Sequence, residues 1–171
     1  MSSEEAQDRS ERVSSDDFRR ACGRFTTGVT IASAVDRQGT PHGLTVNSFT
    51  SVSLDPPLVM VALAHSASVM DAFREARFFA VNVLAAGQRS LSERFALKGH
   101  DRFDGLAWHA GETGAPLLPE TLAEIECAVR HRFTAGDHDL IVGEMVRALV
   151  REGEPLLYFS GRYRKLAGGA H

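Results

Sequence analysis

The sequence predicts a mainly β domain of antiparallel strands, of the sandwich or barrel kind, with a few peripheral helices. Three observations predict it. Segments rich in β-branched and aromatic residues recur along the chain, about six or seven of them against two or three helical stretches. Turn signals built from Gly, Pro, Asp and Asn separate them at the spacing expected of a barrel or sandwich. The C-terminal third reads as an antiparallel meander, with residue types alternating along each run. A chain of 171 residues, 43% hydrophobic and 24% charged, has the balance of one soluble globular domain. We expect a disordered tail over residues 1–14 and a single domain over 15–168, with no internal repeat and no linker.

The elements follow in order. Ser14-Ser15-Asp16-Asp17 places a hydroxyl cap before two acids, the pattern of a helix start. Phe18, Ala21, Cys22 and Phe25 then recur at helical spacing, and Thr26-Thr27-Gly28 is the stop. Val29 to Val35 alternates and is rich in β-branched residues, so it is a strand. Asp36 to Pro41 is a turn. His42 to Leu54 is extended, interrupted near Asn47-Ser48, and Pro56-Pro57 breaks the ladder. Leu58 to Leu63 is apolar at every position, the pattern of a central strand buried on both faces. Ser66-Ala67-Ser68 opens a short helix running through Arg74. Phe78 to Leu84 is a strand, and Gln88 to Phe95 a helix with Leu91 and Phe95 on one face. Residues 98–115 read as loop, punctuated by four glycines. Ile125, Cys127, Val129, His131 and Phe133 alternate with polar residues; a turn at Gly136-Asp137-His138-Asp139 leads into a strand over 140–150. Glu152 to Pro155 turns the chain into Leu156 to Phe159.

Within this frame one stretch concentrates polar groups. In the run Gly43 to Pro57, Thr45, Asn47, Ser51 and Ser53 share one parity of an extended chain, while Val46, Val52 and Leu54 share the other. One wall then offers several neutral hydrogen-bonding groups and the other suits a core. Such a wall fits a planar polar ligand with a phosphate tail; a Ser/Thr-rich strand with a solvated face has the same pattern.

Other chemistry finds little support. A net charge of −3 with scattered basic residues does not point to nucleic acid; only Arg162, Arg164 and Lys165 cluster. The N-terminus lacks an apolar signal region, and no apolar run is long enough to cross a bilayer, so we expect a cytoplasmic protein with no membrane partner. Cys22 and Cys127 form no metal-ligand or redox spacing and read as buried small hydrophobes. The seven histidines form no short metal motif. There is no glycine-rich phosphate loop and no nucleophile elbow. If the chain is an enzyme, a bound cofactor supplies the chemistry.

Several segments, in order, resemble the flavin reductase-like, FMN-binding split-barrel family, the short-chain reductase components of two-component flavin monooxygenases. They are Asp17-Phe18-Arg19 through Phe25-Thr26-Thr27-Gly28-Val29-Thr30, Gly43 to Pro57, Ser66-Ala67-Ser68, Phe78 to Leu84, Phe95 to Phe103, Gly136-Asp137-His138 with Gly143-Glu144-Met145-Val146, and Pro155 to Tyr158 with Gly161-Arg162-Tyr163. The resemblance spans about residues 16–167. It implies a Greek-key split barrel that binds FMN or FAD at a homodimer interface and takes a hydride from NADH or NADPH for a separate monooxygenase. By that resemblance Thr45, Val46, Asn47 and Ser48 hold the ring and ribityl chain. Ser51, Val52 and Ser53 continue the contact, and Ser66 and Ser68, at a helix start, meet the phosphate. Lys98, Arg102 and Phe103 complete the cofactor side. His138 places the nicotinamide, with Gly161, Arg162 and Tyr163 on the nucleotide; on residues alone His138 reads as a solvated turn residue between two aspartates. Two other readings stand beside the reductase: a split-barrel oxidase or oxygenase with tightly held FMN, and a flavin or haem carrier without activity.

Overall fold

In the computed structural model, which describes residues 13–99 and 101–166, seven strands hydrogen-bond into one antiparallel sheet. In chain order its members are β2 (Thr30–Val35), β3 (Pro41–Val46), β4 (Thr50–Leu54), β5 (Pro57–Ala64), β6 (Phe78–Val83), β9 (Ala123–Ala135) and β10 (His138–Val150). Their order across the sheet is β3-β2-β6-β9-β10-β5-β4. A small sheet joins β1 (Thr27–Gly28), β11 (Leu157–Phe159) and β12 (Arg162–Arg164), and a two-residue ribbon pairs β7 (His109–Ala110) with β8 (Pro116–Leu117). Three helices complete the described chain: α1 (Ser15–Cys22), α2 (Met70–Glu75) and α3 (Arg89–Ala96). The tail expected over residues 1–14 falls outside the described residues up to residue 12, as do residues 167 and 168 at the far end.

The strand order dictates the shape. β3 and β4 are the two edges of the sheet, yet only Asn47, Ser48 and Phe49 separate them in sequence. A flat sheet of this width would hold its edges about 29 Å apart, at about 4.8 Å per strand spacing. The link from Val46 to Thr50 spans at most about 14 Å. The sheet therefore curls until its edges face each other across a slit, and β3 and β4 do not pair. This is the mainly β, antiparallel architecture that the sequence predicts.

Apolar residues fill two clusters on opposite faces of β2, which gives Ala32 and Ala34 to the first and Ile31 to the second. One gathers Val59, Val61, Leu63, Phe73, Phe79, Val81 and Ile141; the other gathers Val29, Ile31, Leu84, Phe95, Phe103, Leu118 and Leu156. Gly143 of β10 has no room for a side chain, since a Cβ there would lie 2.4 Å from the ring of Phe79. A buried amide fastens the segment 116–118 to the barrel. Asn82, fully buried on β6, donates from Nδ2 to the carbonyl of Ile31 (3.2 Å) and to Ser33 Oγ (3.1 Å), and its Oδ1 accepts from the Leu118 N–H at 2.8 Å.

Several elements differ from the sequence prediction, each for a local reason. The first helix stops at Cys22, and no residue of it is buried; Phe18 is 62% exposed and Phe25 78%. Thr27 and Gly28, read as its stop, form a strand with β11. Cys22 is exposed, so only Cys127 behaves as a buried hydrophobe; burial pushes its thiol up to about 12. The run 58–63 is not central. β5 lies one strand in from the edge, and Val59, Val61 and Leu63 are buried while the alternate residues are only half-buried. The wall assigned to Val46, Val52 and Leu54 is likewise divided. Val46 is buried, but β4 carries a bulge that leaves Val52 opposite no partner, and Val52 and Leu54 are 52% and 96% exposed. An extra residue resets the alternation on which the parity reading rests. The register of β9 and β10 shifts twice, with Arg130 of β9 unpaired at Val142/Gly143 and Val146 of β10 unpaired at Met145/Arg147; alternation along 140–150 places Val142, Val146 and Val150 on one face, yet Val142 is buried while Val146 and Val150 are exposed. Glu124 and Glu126, on the side of β9 that alternation predicts to be polar, are buried beneath the segment 109–117, where a two-stranded ribbon stands in place of part of the predicted loop.

Replacing Asn82 by Ala strands the Leu118 N–H and opens a small void, which we expect to cost about 2–4 kcal/mol. Urea unfolding of the purified variant, compared with the parent at one pH, measures it.

Candidate functional site

The slit between β3 and β4 is pinned from both sides by hydroxyls. The buried Thr30 donates from Oγ1 to the carbonyl of Val46 at 3.0 Å, holding the end of β3. Ser48 takes the place of a strand residue beside β5. Its Oγ donates to the Ala62 carbonyl and accepts from the Ala62 N–H, both at 3.0 Å. The crossing segment is thereby fixed although neither edge pairs with the other. On the far side of β5, His138 pairs with Ala64, two positions along from Ala62.

Two cavities open along β3. The larger, about 370 Å³, is lined by His42, Gly43, Ser68, Gly99, Arg102 and Phe103, among others. The smaller, about 200 Å³, is lined by Val29, Thr45, Asn47, Ser92, Ala96, Tyr158 and Tyr163. Gly43 and Thr45 share a face of β3, so the cavities follow one another along it. The rings of Phe95 and Phe103, packed edge to face with centroids 5.0 Å apart, cover Gly43, where a Cβ would lie 2.8 Å from Phe95.

In the larger cavity the decisive group is Arg102, only 7% exposed. Its Nη1 donates to the Gly43 carbonyl at 2.8 Å, and Nε and Nη2 donate to the Leu97 carbonyl at 2.9 and 2.6 Å. Burial pulls its pKa below the usual guanidinium range. Among the described residues its hydrogen bonds go only to carbonyl oxygens and it makes no ion pair; the Asp101 carboxylate also lines the cavity, its Oδ1 accepting from the Phe103 N–H at 3.0 Å. His42, at the rim, pairs through Nε2 with Asp36 at 2.9 Å; that bond, with the N–H groups of Thr40 and Gln38, holds the Asp36 carboxyl below its usual range. In the smaller cavity Thr45 Oγ1 donates to the Ser92 carbonyl at 2.6 Å, and Ser92 and Tyr163 share a hydrogen bond of 2.9 Å between their hydroxyls. The Arg89 guanidinium stands 5.2 Å above the Tyr163 ring.

The predicted residues therefore fall into groups. Ser68, Arg102 and Phe103 meet in the larger cavity, with the exposed Lys98 beside Gly99 at its edge. Thr45, Asn47 and Tyr163 meet in the smaller one, and Gly161 and Arg162 lie exposed in the turn and strand start before Tyr163. Ser51, Val52 and Ser53 lie on β4 and Ser66 on the exposed turn after β5; none lines either cavity. The helix expected to open at Ser66 begins only at Met70, so Ser66 and Ser68 stand in the preceding turn and not at a helix start. His138 is the first residue of β10 and not a turn residue; its Nδ1 pairs with Asp137 Oδ1 at 2.6 Å, and that bond lowers the Asp137 pKa. Sequence reasoning missed His42, Ser92 and Tyr158 as lining residues. Ser92 sits beside the apolar stripe of Leu91 and Phe95 and carries no periodic signal of its own. Among the described residues no cluster of His, Cys, Asp and Glu is placed to hold a metal ion, and no helix is long and apolar enough to cross a membrane.

Ser48→Ala removes both side-chain bonds to Ala62 at a half-buried position, which we expect to cost about 1–2 kcal/mol. Hydrogen exchange at the Ala62 amide should quicken by more than the global loss of stability explains.

Comparison with known proteins adds three findings. The family model described as "Flavin reductase like domain" matches residues 22–167. The FMN reductase (NADH) SmoA of Agrobacterium fabrum is 49% identical over 150 residues, covering 88% of this chain and 85% of that protein. The reductase component of a 4-nitrophenol 4-monooxygenase/4-nitrocatechol 2-monooxygenase of Rhodococcus opacus is 39% identical over 147 residues, covering 86% and 78%. The solved structure of the Streptomyces globisporus NADH:FAD oxidoreductase in complex with NAD and FAD fragments superposes with a TM-score of 0.86 at 38% identity, over 94% of this chain and 99% of that one.

Proposed function

This chain belongs to the flavin reductase-like family and is a flavin reductase; we propose that the two cavities along β3, together with the start of β10, are where it works. The reaction draws on NADH or NADPH and on FMN or FAD. Flavin supplies the hydride acceptor at N5 when bound, so the chain needs neither nucleophile nor metal for that step. Its residues have to hold two ring systems together and keep an anionic tail in place.

Arg102 carries this reading. A buried guanidinium hydrogen-bonded only to carbonyls makes no ion pair among the described residues, and a phosphate in the adjoining cavity, which Asp101 also lines, would supply one. The donors beside it suit the same group: the Ser68 hydroxyl in the cavity, with Lys98 and Ser66 outside it. The residues present therefore fit a flavin phosphate. Thr45 and Asn47, with main-chain groups of Val46 and Ser48, offer neutral donors and acceptors for the ring and ribityl chain. Ser51, Val52 and Ser53 line neither cavity, and their part in the contact is carried by the family resemblance alone; Phe103 gives the larger cavity an aromatic wall. Tyr163 reaches the same cavity as Thr45, which supports a nucleotide role for Gly161, Arg162 and Tyr163 next to the flavin. His138, held by Asp137, is the group we assign to placing the nicotinamide.

Exposed apolar side chains on β4 and β10, namely Val52, Leu54, Val146, Leu149 and Val150, support a homodimer. The reduced flavin then passes to a separate flavin-dependent monooxygenase, a reading supported by the Rhodococcus opacus relative named as a reductase component.

Two measurements test this. Purified protein mixed with NADH and FMN should bleach the near-ultraviolet nicotinamide band under multiple turnovers; a protein that binds flavin and oxidises neither NADH nor NADPH would refute the activity. Arg102→Met should weaken FMN binding roughly ten- to hundred-fold and riboflavin binding hardly at all. Titration of both ligands separates loss of a phosphate contact from general damage to the loop.

A further inference from the structure

A buried carboxylate that hydride transfer does not itself require stands one residue beyond His138. Asp139 is 7% exposed, on β10 between Thr134 of β9 and Leu63 of β5. It gathers donors from three separate elements. His65, in the turn after β5, donates from Nε2 to Oδ1 at 2.8 Å; Thr134 Oγ1 donates to the same oxygen at 2.9 Å; Arg74 of α2 donates from Nε to Oδ2 at 3.3 Å. These bonds, His65 first, hold the carboxyl below its usual range. Arg132 of β9 feels the same charge but directs its guanidinium to the carbonyls of Phe73 and Ala76.

The chain of contacts continues. The His65 N–H donates to the Asp137 carbonyl at 2.9 Å, and the Asp137 carboxylate pairs with His138. The turn that begins at His65 also carries Ser66 and Ser68 and closes by a bond from the Ala67 N–H to the Ala64 carbonyl at 2.9 Å. One buried carboxylate thus ties the hydroxyl-bearing turn to the strand start that presents His138.

We propose that Asp139 is a positioning residue which, through His65, sets where His138 and the Ser66–Ser68 turn stand relative to one another. The inference rests on the reading of His138 as the nicotinamide-placing group. A depressed carboxyl gives a definite sign: the clamp is complete above the ordinary carboxylate range, near pH 4, and is lost as pH falls through the lower folded value.

The test compares the parent, Asp139→Asn, His65→Ala and the double variant as full-length protein. We expect Asp139→Asn to raise KM for NADH roughly five- to thirty-fold with kcat within about two-fold, and His65→Ala to match it. The double variant should be no worse than either, as links of one chain are not additive. NMR of the imidazole groups should show His138 displaced in each variant, and the acid loss of NADH affinity should be absent in Asp139→Asn. An unchanged KM, an unmoved His138 resonance, or effects that add in the double variant would overturn the proposal. If Asp139→Asn does not fold, His65→Ala, at an exposed turn, carries the same comparison. A parent that oxidises no NADH defeats the functional reading instead, and the His138 resonances then decide the clamp by themselves.

Discussion

Three residues, Asn47 to Phe49, join the opposite edges of a seven-stranded sheet, and most of the molecule answers to that constraint. A link this short forbids an open sheet. It also places the ends of β3 and β4 where main-chain pairing stops, so hydroxyls take over: Thr30 at the carbonyl of Val46 and Ser48 at both main-chain groups of Ala62. The density of Ser, Thr and Asn in this segment is in part a consequence of how the sheet is turned, because Thr30 and Ser48 supply the hydrogen bonds that strand pairing does not.

Elsewhere buried polar groups act as fasteners for parts of the chain with little apolar surface of their own. Asn82 ties down residues 116–118. Glu126, 1% exposed, accepts from the N–H groups of Glu112 and Thr113 and from the Thr113 hydroxyl. Arg102 draws Leu97 and Gly43 together. Asn82 carries no charge and is satisfied within the described chain. Glu126 and Arg102 are both buried ions with uncharged partners there, N–H and hydroxyl donors for the one and carbonyl oxygens for the other.

Much of this was legible in the sequence. The capped start at Ser14, the break at Asn47-Ser48 and the hairpin at Gly136 are local events written in local chemistry; the first two stand where the sequence predicts them, and the hairpin turn is Gly136-Asp137, two residues shorter than predicted. What failed depended on inserted residues or on neighbours far along the chain. The bulge at Val52 adds one residue to β4 and turns Leu54 out; nothing in the composition of that run marks it. Glu124 and Glu126 look solvated until residues 109–117 fold over them. The site shows the same division. Thr45, Asn47 and Arg102 stood out through motif resemblance, whereas Ser92 and His42 enter only because α3 and the larger cavity lie against β3.

The slit also bears on how the protein avoids its own kind. An unpaired strand edge is a template for another chain, and a split barrel has two. Here β4 is five residues long and bent by its bulge, and β3 opens with Pro41, which has no N–H to offer. The Gly43 carbonyl is already occupied by Arg102. The three-residue link also holds the two edges close together at their joined ends, so a foreign strand meets a short, bent or proline-headed edge there.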